Sequence, residues 1–76
     1  MSEYEFMDIF GDNLRDSLII ARMSQNELAR RYGLSKITIR RYVNKQRFTT
    51  LKILINIAVA LHCRLDDLIP VYDHLY

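Results

Sequence analysis

The sequence predicts an all-α fold of five helices, and three observations carry that prediction. Apolar residues recur at three- and four-residue spacing, as in Phe10, Leu14 and Leu18, which gathers them on one face of a helix. Serine or threonine precedes three of these segments, at Ser24, Ser35 and Thr50, where a hydroxyl can accept from an otherwise unpaired backbone N–H. Gly33 and Pro70 each follow a segment, glycine because it takes the left-handed conformation without penalty and proline because it pushes the residue before it out of the helical region.

The first helix is expected over about Asp8–Ala21, with Ser2 and Glu5 forming an alternative capping box that would start it further upstream. The second opens on Ser24-Gln25-Asn26-Glu27, a capping box, and carries Gln25, Leu28, Ala29 and Tyr32 on one face before Gly33 ends it. Ser35 caps the third, which runs to Val43 or Asn44. Two short helices joined by so tight a turn form a helix-turn-helix in outline. The fourth starts after Thr50 and is apolar on nearly every side, through Leu51, Ile53, Leu54, Ile55, Ile57, Ala58, Val59 and Leu61; such a helix is buried all round or meets a partner. The fifth is short, about Leu65–Ile69, with Asp66 and Asp67 near the positive end of its dipole.

Seventy-six residues make a single domain, with its core over about 8–69, a short N-terminal extension 1–7 and a tail 70–76. A core this small gains from a second copy of the chain, so a homodimer is expected, with Ile53, Val71, Tyr72, Leu75 and Tyr76 as its interface unless these side chains complete the monomer core. No apolar run is long enough to cross a bilayer, and Met1–Phe6 carries Glu3 and Glu5 and no basic segment of a secretory signal. Cys63 has no partner for a disulfide, and with His62 and His74 it makes too small a set for a structural zinc site. The expectation is a cytoplasmic chain with no cofactor, no metal and no membrane partner.

Charge is distributed unevenly. Between Ser24 and Lys52, eight cations face the single acid Glu27, a net +7, whereas the remainder holds three cations against eight acids, a net −5. A basic centre between acidic ends suits a polyanion such as double-stranded DNA, although a solvated cation-rich surface would carry the same charge.

At about 100° per residue, the third helix separates into two faces. Ile39, Tyr42 and Val43 share the side of the cap Ser35, while Ile37, Arg40, Arg41 and Asn44 lie opposite. Arginine can donate two hydrogen bonds to guanine O6 and N7, and an aliphatic side chain can touch a thymine methyl. Near the start of the second helix of a helix-turn-helix, side chains meet base edges. Lys36, Ile37 and Arg41 are therefore candidates for base contact, with Thr38 and Arg40 next; Arg40 serves equally well on phosphate, and Ile37 belongs to the core if the helix is rotated. Gln25, at the N-terminal end of the second helix, is a candidate for phosphate. Asn44, Lys45, Arg47, Thr49 and Lys52 are expected along the phosphate backbone after the third helix, with plain solvation the alternative for the lysines.

The run Ser24-Gln25, Glu27-Leu28-Ala29, Gly33-Leu34-Ser35 and Ile39, continued by Leu51, Leu54, Ile57-Ala58, Ala60-Leu61 and Leu65-Asp66-Asp67-Leu68, resembles the Cro/C1-type, or XRE-like, helix-turn-helix repressors of phages and bacteria. The resemblance covers about Phe10–Ile69 and implies a lambda-repressor-like domain, commonly dimeric, that binds palindromic operators. It implies phosphate contact at Gln25 and Asn44 and base contact near Lys36, Ile37 and Arg41. Three departures stand out. The arginine–glutamate pair that many members place between their first and third helices falls at Leu18 and Val43, where an apolar contact is expected. Lys45 stands where a glycine usually follows the recognition helix, and Thr49 where a proline usually precedes the fourth helix.

The expected function is sequence-specific binding of double-stranded DNA as a transcriptional repressor or regulator, acting on a palindromic operator as a homodimer through the recognition helix 35–44. The alternative is an antitoxin or accessory module of a mobile element that uses the fold chiefly to hold a protein partner. An enzyme is not expected, because no nucleophile with its base, carboxylate pair, phosphate-binding glycine loop or metal cluster stands at workable spacing.

Overall fold

The computed structural model describes residues 2–69, in which five helices follow in order: α1 Glu3–Ala21, α2 Gln25–Tyr32, α3 Lys36–Val43, α4 Leu51–Leu61 and α5 Leu65–Leu68. The first begins upstream of Asp8 because the upstream cap is the one used. Ser2 Oγ accepts from Glu5 N at 3.1 Å, and residues 3–7, expected as an extension, are helical. Phe6 accordingly packs against the core. The other caps form as their sequences predict: Ser24 Oγ accepts from Glu27 N at 3.0 Å and Thr50 Oγ1 from Ile53 N at 3.3 Å.

One apolar cluster joins all five helices. Phe10, Leu14 and Leu18 of α1 meet Leu28 and Ala29 of α2, Ile39 and Tyr42 of α3, Leu54, Ile57, Ala58, Ala60 and Leu61 of α4, and Leu68 of α5. Polar links close its edges. Asn13 Nδ2 donates to Leu68 O at 3.2 Å, tying α1 to the end of α5, and Tyr32 Oη donates to Ala60 O at 3.4 Å, tying α2 to α4. Burial separates α4 into two faces. Leu54, Ile57, Ala58, Ala60 and Leu61 are buried, while Leu51, Ile55 and Val59 form an exposed stripe at four-residue spacing. Ile53, expected at a dimer interface, is half-buried against this chain's own core; Val71, Tyr72, Leu75 and Tyr76 lie outside the described residues.

Four helix ends close through a left-handed residue, Arg22 (φ 55°), Gly33 (φ 65°), Lys45 (φ 63°) and His62 (φ 52°). This conformation lets the following N–H reach back, as Gln46 N does to Arg41 O at 2.8 Å and Cys63 N to Ala58 O at 3.0 Å. Only one of the four is a glycine, and each of the others carries a side chain at a cost of roughly 1–2 kcal/mol.

The first helix passes close against the end of α3. A Cβ built on Gly11 would stand 2.7 Å from Tyr42 O, 2.9 Å from Lys45 Cγ and 3.2 Å from Val43 O. Two of these neighbours are backbone and cannot turn aside. In an ordinary helix interior, glycine to alanine gains about 0.5–1 kcal/mol. Here the sign reverses: Gly11→Ala is expected to destabilise the chain by about 1–3 kcal/mol, the usual scale of overpacking, as read from urea unfolding midpoints. A stabilised variant would show that α1 and α3 are not in such close contact. His62→Gly, at an exposed left-handed end, is expected to raise stability by up to about 1 kcal/mol in the same assay.

Candidate nucleic-acid interface

The third helix is anchored by one flank and open on the other. Ile39 is fully buried, Tyr42 is 1% exposed, and the Tyr42 ring meets Phe10 edge-on with centroids 5.5 Å apart. These anchors fix the rotation of α3 and turn Lys36, Ile37, Arg40, Arg41 and the C-cap Asn44 to solvent, with Ile37 58% exposed. An exposed isoleucine among cations gains nothing from water. Thr38, a second-rank candidate for base contact, is half-buried, and its backbone N–H donates to Ser35 Oγ at 3.5 Å.

Ion pairing divides the cations of the basic centre. Arg31 pairs with Glu27 at 2.7 Å along α2. Among the described residues, Lys36, Arg40, Arg41, Arg47 and Lys52 have no carboxylate within salt-bridge distance. Their charge is open to an external anion.

Two residues expected on the phosphate backbone are placed otherwise. Lys45 reaches to α1, where its Nζ lies 2.9 Å from Asp8 Oδ1 and 3.0 Å from Asp12 Oδ1. The spacing of charges along the chain concealed this, because the acids are more than thirty positions upstream. Thr49 is 5% exposed, and its hydroxyl donates to Thr50 O at 3.3 Å; packing turns it inward, away from any bound polymer. Gln25 is half-buried at the first position of α2, and Asn44, Arg47 and Lys52 are exposed. Leu18 and Val43 both belong to the apolar cluster, so no charge is desolvated at either position.

Three features of the site escaped the sequence reading: Gly11, the Lys45 bridge, and the contact of Phe6 with Phe48, whose ring centroids are 5.1 Å apart. A signal for the first two is present. Asp8, Gly11 and Asp12 fall on one helical face, and a glycine inside a helix usually marks close packing. His62 is exposed, and burial, with the charge of Asp67, pushes the Cys63 thiol up and disfavours its thiolate. Among the described residues, no cluster of three or more His, Cys, Asp or Glu side chains could hold a metal ion, and no helix is long and apolar enough to cross a membrane.

The sequence pattern of the Cro/C1-type HTH DNA-binding domain matches residues 13–73. The chain belongs to this family. It is a DNA-binding domain, and α2 and α3 are its helix-turn-helix. Among solved structures, it is similar to the restriction-modification controller protein C.AhdI from Aeromonas hydrophila, with 27% identity and a TM-score of 0.76 over 82% of this chain and 94% of that one. It also shares the fold of the hypothetical transcription factor NHTF from Neisseria, with 23% identity and a TM-score of 0.81 over 99% of this chain and 85% of that one. No curated protein matches the sequence at a significant level.

The bridge at Lys45 gives this Cro/C1-type domain a pH signature. The hydrogen bond from Lys45 holds the Asp12 carboxyl below the ordinary carboxylate range, against a smaller opposing effect of desolvation. Hydrogen bonds to Asp8 and then Asp12 raise Lys45 above its ordinary value. A carboxyl depressed in the folded state contributes stability above its unfolded pKa, and that contribution disappears as pH falls through the folded value. A raised lysine contributes below its unfolded pKa and ceases to contribute as pH rises through the folded value. Wild type should therefore exceed Asp12→Asn in stability near neutral pH, and the gap should close on acidification below the ordinary carboxylate range. Chemical unfolding at a series of pH values checks this; a gap that persists in acid would place the effect of Asp12 outside its charge.

Proposed function

We propose that this chain is a transcriptional regulator that binds a palindromic operator as a homodimer, reading bases with the outward flank of α3. The observation that carries the reading is the division of that helix: Ile39 and Tyr42 are buried while Lys36, Ile37, Arg40 and Arg41 stand exposed and, for the cations, without carboxylate partners among the described residues. A helix held by one apolar flank and projecting two arginines and an aliphatic side chain suits a major groove, where arginine reads guanine and an aliphatic group meets thymine. Lys36, Ile37 and Arg41 take base edges, with Thr38 and Arg40 at the margin of that contact. Gln25, Asn44, Arg47 and Lys52 hold phosphates. Similarity to a restriction-modification controller supports a regulatory role.

The exposed stripe of Leu51, Ile55 and Val59 supports the dimer, since an apolar helix face on so small a domain gains most by meeting its own copy. A two-fold axis then presents two α3 helices to half-sites about 34 Å apart, one turn of DNA.

Selection of bound sequences from random DNA, repeated with Arg41→Ala, tests the base contact. Loss of Arg41 should cost about 1–3 kcal/mol and relax a single position of the selected site. An equal loss on every sequence would move Arg41 to the phosphates, and a purified chain that shifts no DNA would favour the protein-holding alternative. Sedimentation of the free chain should show a dimer that Val59→Glu converts to monomer; a wild type that stays monomeric at high concentration removes the stable dimer from this reading.

A further inference from the structure

A lysine, Lys45, follows the C-cap of the recognition helix, and the structure has a fitted place for it. Left-handed geometry at Lys45 (φ 63°) turns its side chain back over α1. Its stem crosses Gly11, where Lys45 Cγ lies 2.9 Å from the position a Cβ would take. Its ammonium then settles between the carboxylates that flank that glycine on the same helical face, 2.9 Å from Asp8 and 3.0 Å from Asp12. Asp12 also receives Arg15 at 3.3 Å. Two cations and two acids thus form one chain of contacts with no net charge.

Lys45 sits in the middle of the segment that the proposed function assigns to phosphate, between the exposed Asn44 and Arg47. A free lysine there would add to the grip on any DNA, whatever its sequence, because each neutralised phosphate releases counterions. Specificity is the ratio of operator binding to that indiscriminate grip. A neutral cluster adds nothing to it, and moving Lys45 onto a phosphate would leave Asp8 and Asp12 as unpaired negative charges beside a polyanion.

We propose that Asp8 and Asp12 withhold Lys45 from the DNA, acting as positioning residues that limit sequence-independent binding by this chain. The inference rests on the reading of α3 and the loop after it as the DNA interface. Its test is the salt dependence of binding to random-sequence duplex DNA, measured per chain for four proteins: wild type, Lys45→Gly, Asp8→Asn/Asp12→Asn, and the triple variant combining all three changes. Glycine suits the left-handed turn, so Lys45→Gly removes the charge without straining the fold.

Lys45→Gly should leave the slope of log affinity against log salt as in wild type. Asp8→Asn/Asp12→Asn should release Lys45, steepen the slope by about 0.9 for one added phosphate contact, and tighten binding to random DNA. The triple variant should return the slope to the wild-type value, which separates a released lysine from the mere loss of two acids. A slope lowered by about 0.9 in Lys45→Gly would show that the carboxylates yield Lys45 to phosphate and would overturn the proposal. So would an unchanged slope in the double variant, or a steepened slope that persists in the triple variant. Wild-type protein that binds no DNA at any salt would remove both the interface reading and this inference, whereas the other adverse outcomes remove only the latter.

Discussion

The close approach of α1 to the end of α3 is the constraint on which the DNA-binding face depends. Gly11 has no side chain, so the Tyr42 carbonyl can lie against α1 at a distance that a Cβ would forbid, with the Val43 carbonyl close beside it. With the helices that near, Tyr42 reaches Phe10 in the core and Ile39 is sealed beneath α3. The outward flank is a consequence of that burial. Arginines at positions 40 and 41 face solvent because the residues beside them are committed to the interior.

The same approach sets the route of the chain after α3. Lys45 occupies a position where a left-handed residue must follow the helix, and the glycine that would take it at no cost is absent. The ion pairs with Asp8 and Asp12 give the lysine a reason to be there. A few residues on, Phe48 rests against Phe6 and Thr49 is buried. The loop that carries Arg47 is therefore fastened to the N-terminal half of α1, which the Ser2 cap extends far enough to meet it. Exposed ion pairs are individually weak; here two carboxylates act on one ammonium whose stem is also packed across Gly11, so geometry as well as charge holds it.

Much of the helix-turn-helix is legible along the chain because its determinants are local. A hydroxyl three residues ahead of the N–H it caps is visible as Ser24 or Thr50, and the separation of Ile39 and Tyr42 from Ile37, Arg40 and Arg41 follows from helical pitch alone. Illegible parts all involve partners distant in sequence. Residue type and position suggest phosphate contact for Lys45 and Thr49, whereas Lys45 is paired with Asp8 and Asp12 and Thr49 is buried, through contacts that no local pattern encodes. The apolar excess of α4 suggests an interface role for Ile53, whereas packing half-buries it against this chain's own core and leaves Leu51, Ile55 and Val59 exposed.

What the amino-acid order determined by itself is the set of five helices, their caps and the two-faced character of α3, since each depends on interactions spanning no more than a few residues. Tertiary structure decided which cations of the basic centre are paired with carboxylates among the described residues. That choice is electrostatic and depends on distance in space: Asp8 and Asp12 neutralise Lys45 only because a glycine lets α1 lie against the end of the recognition helix.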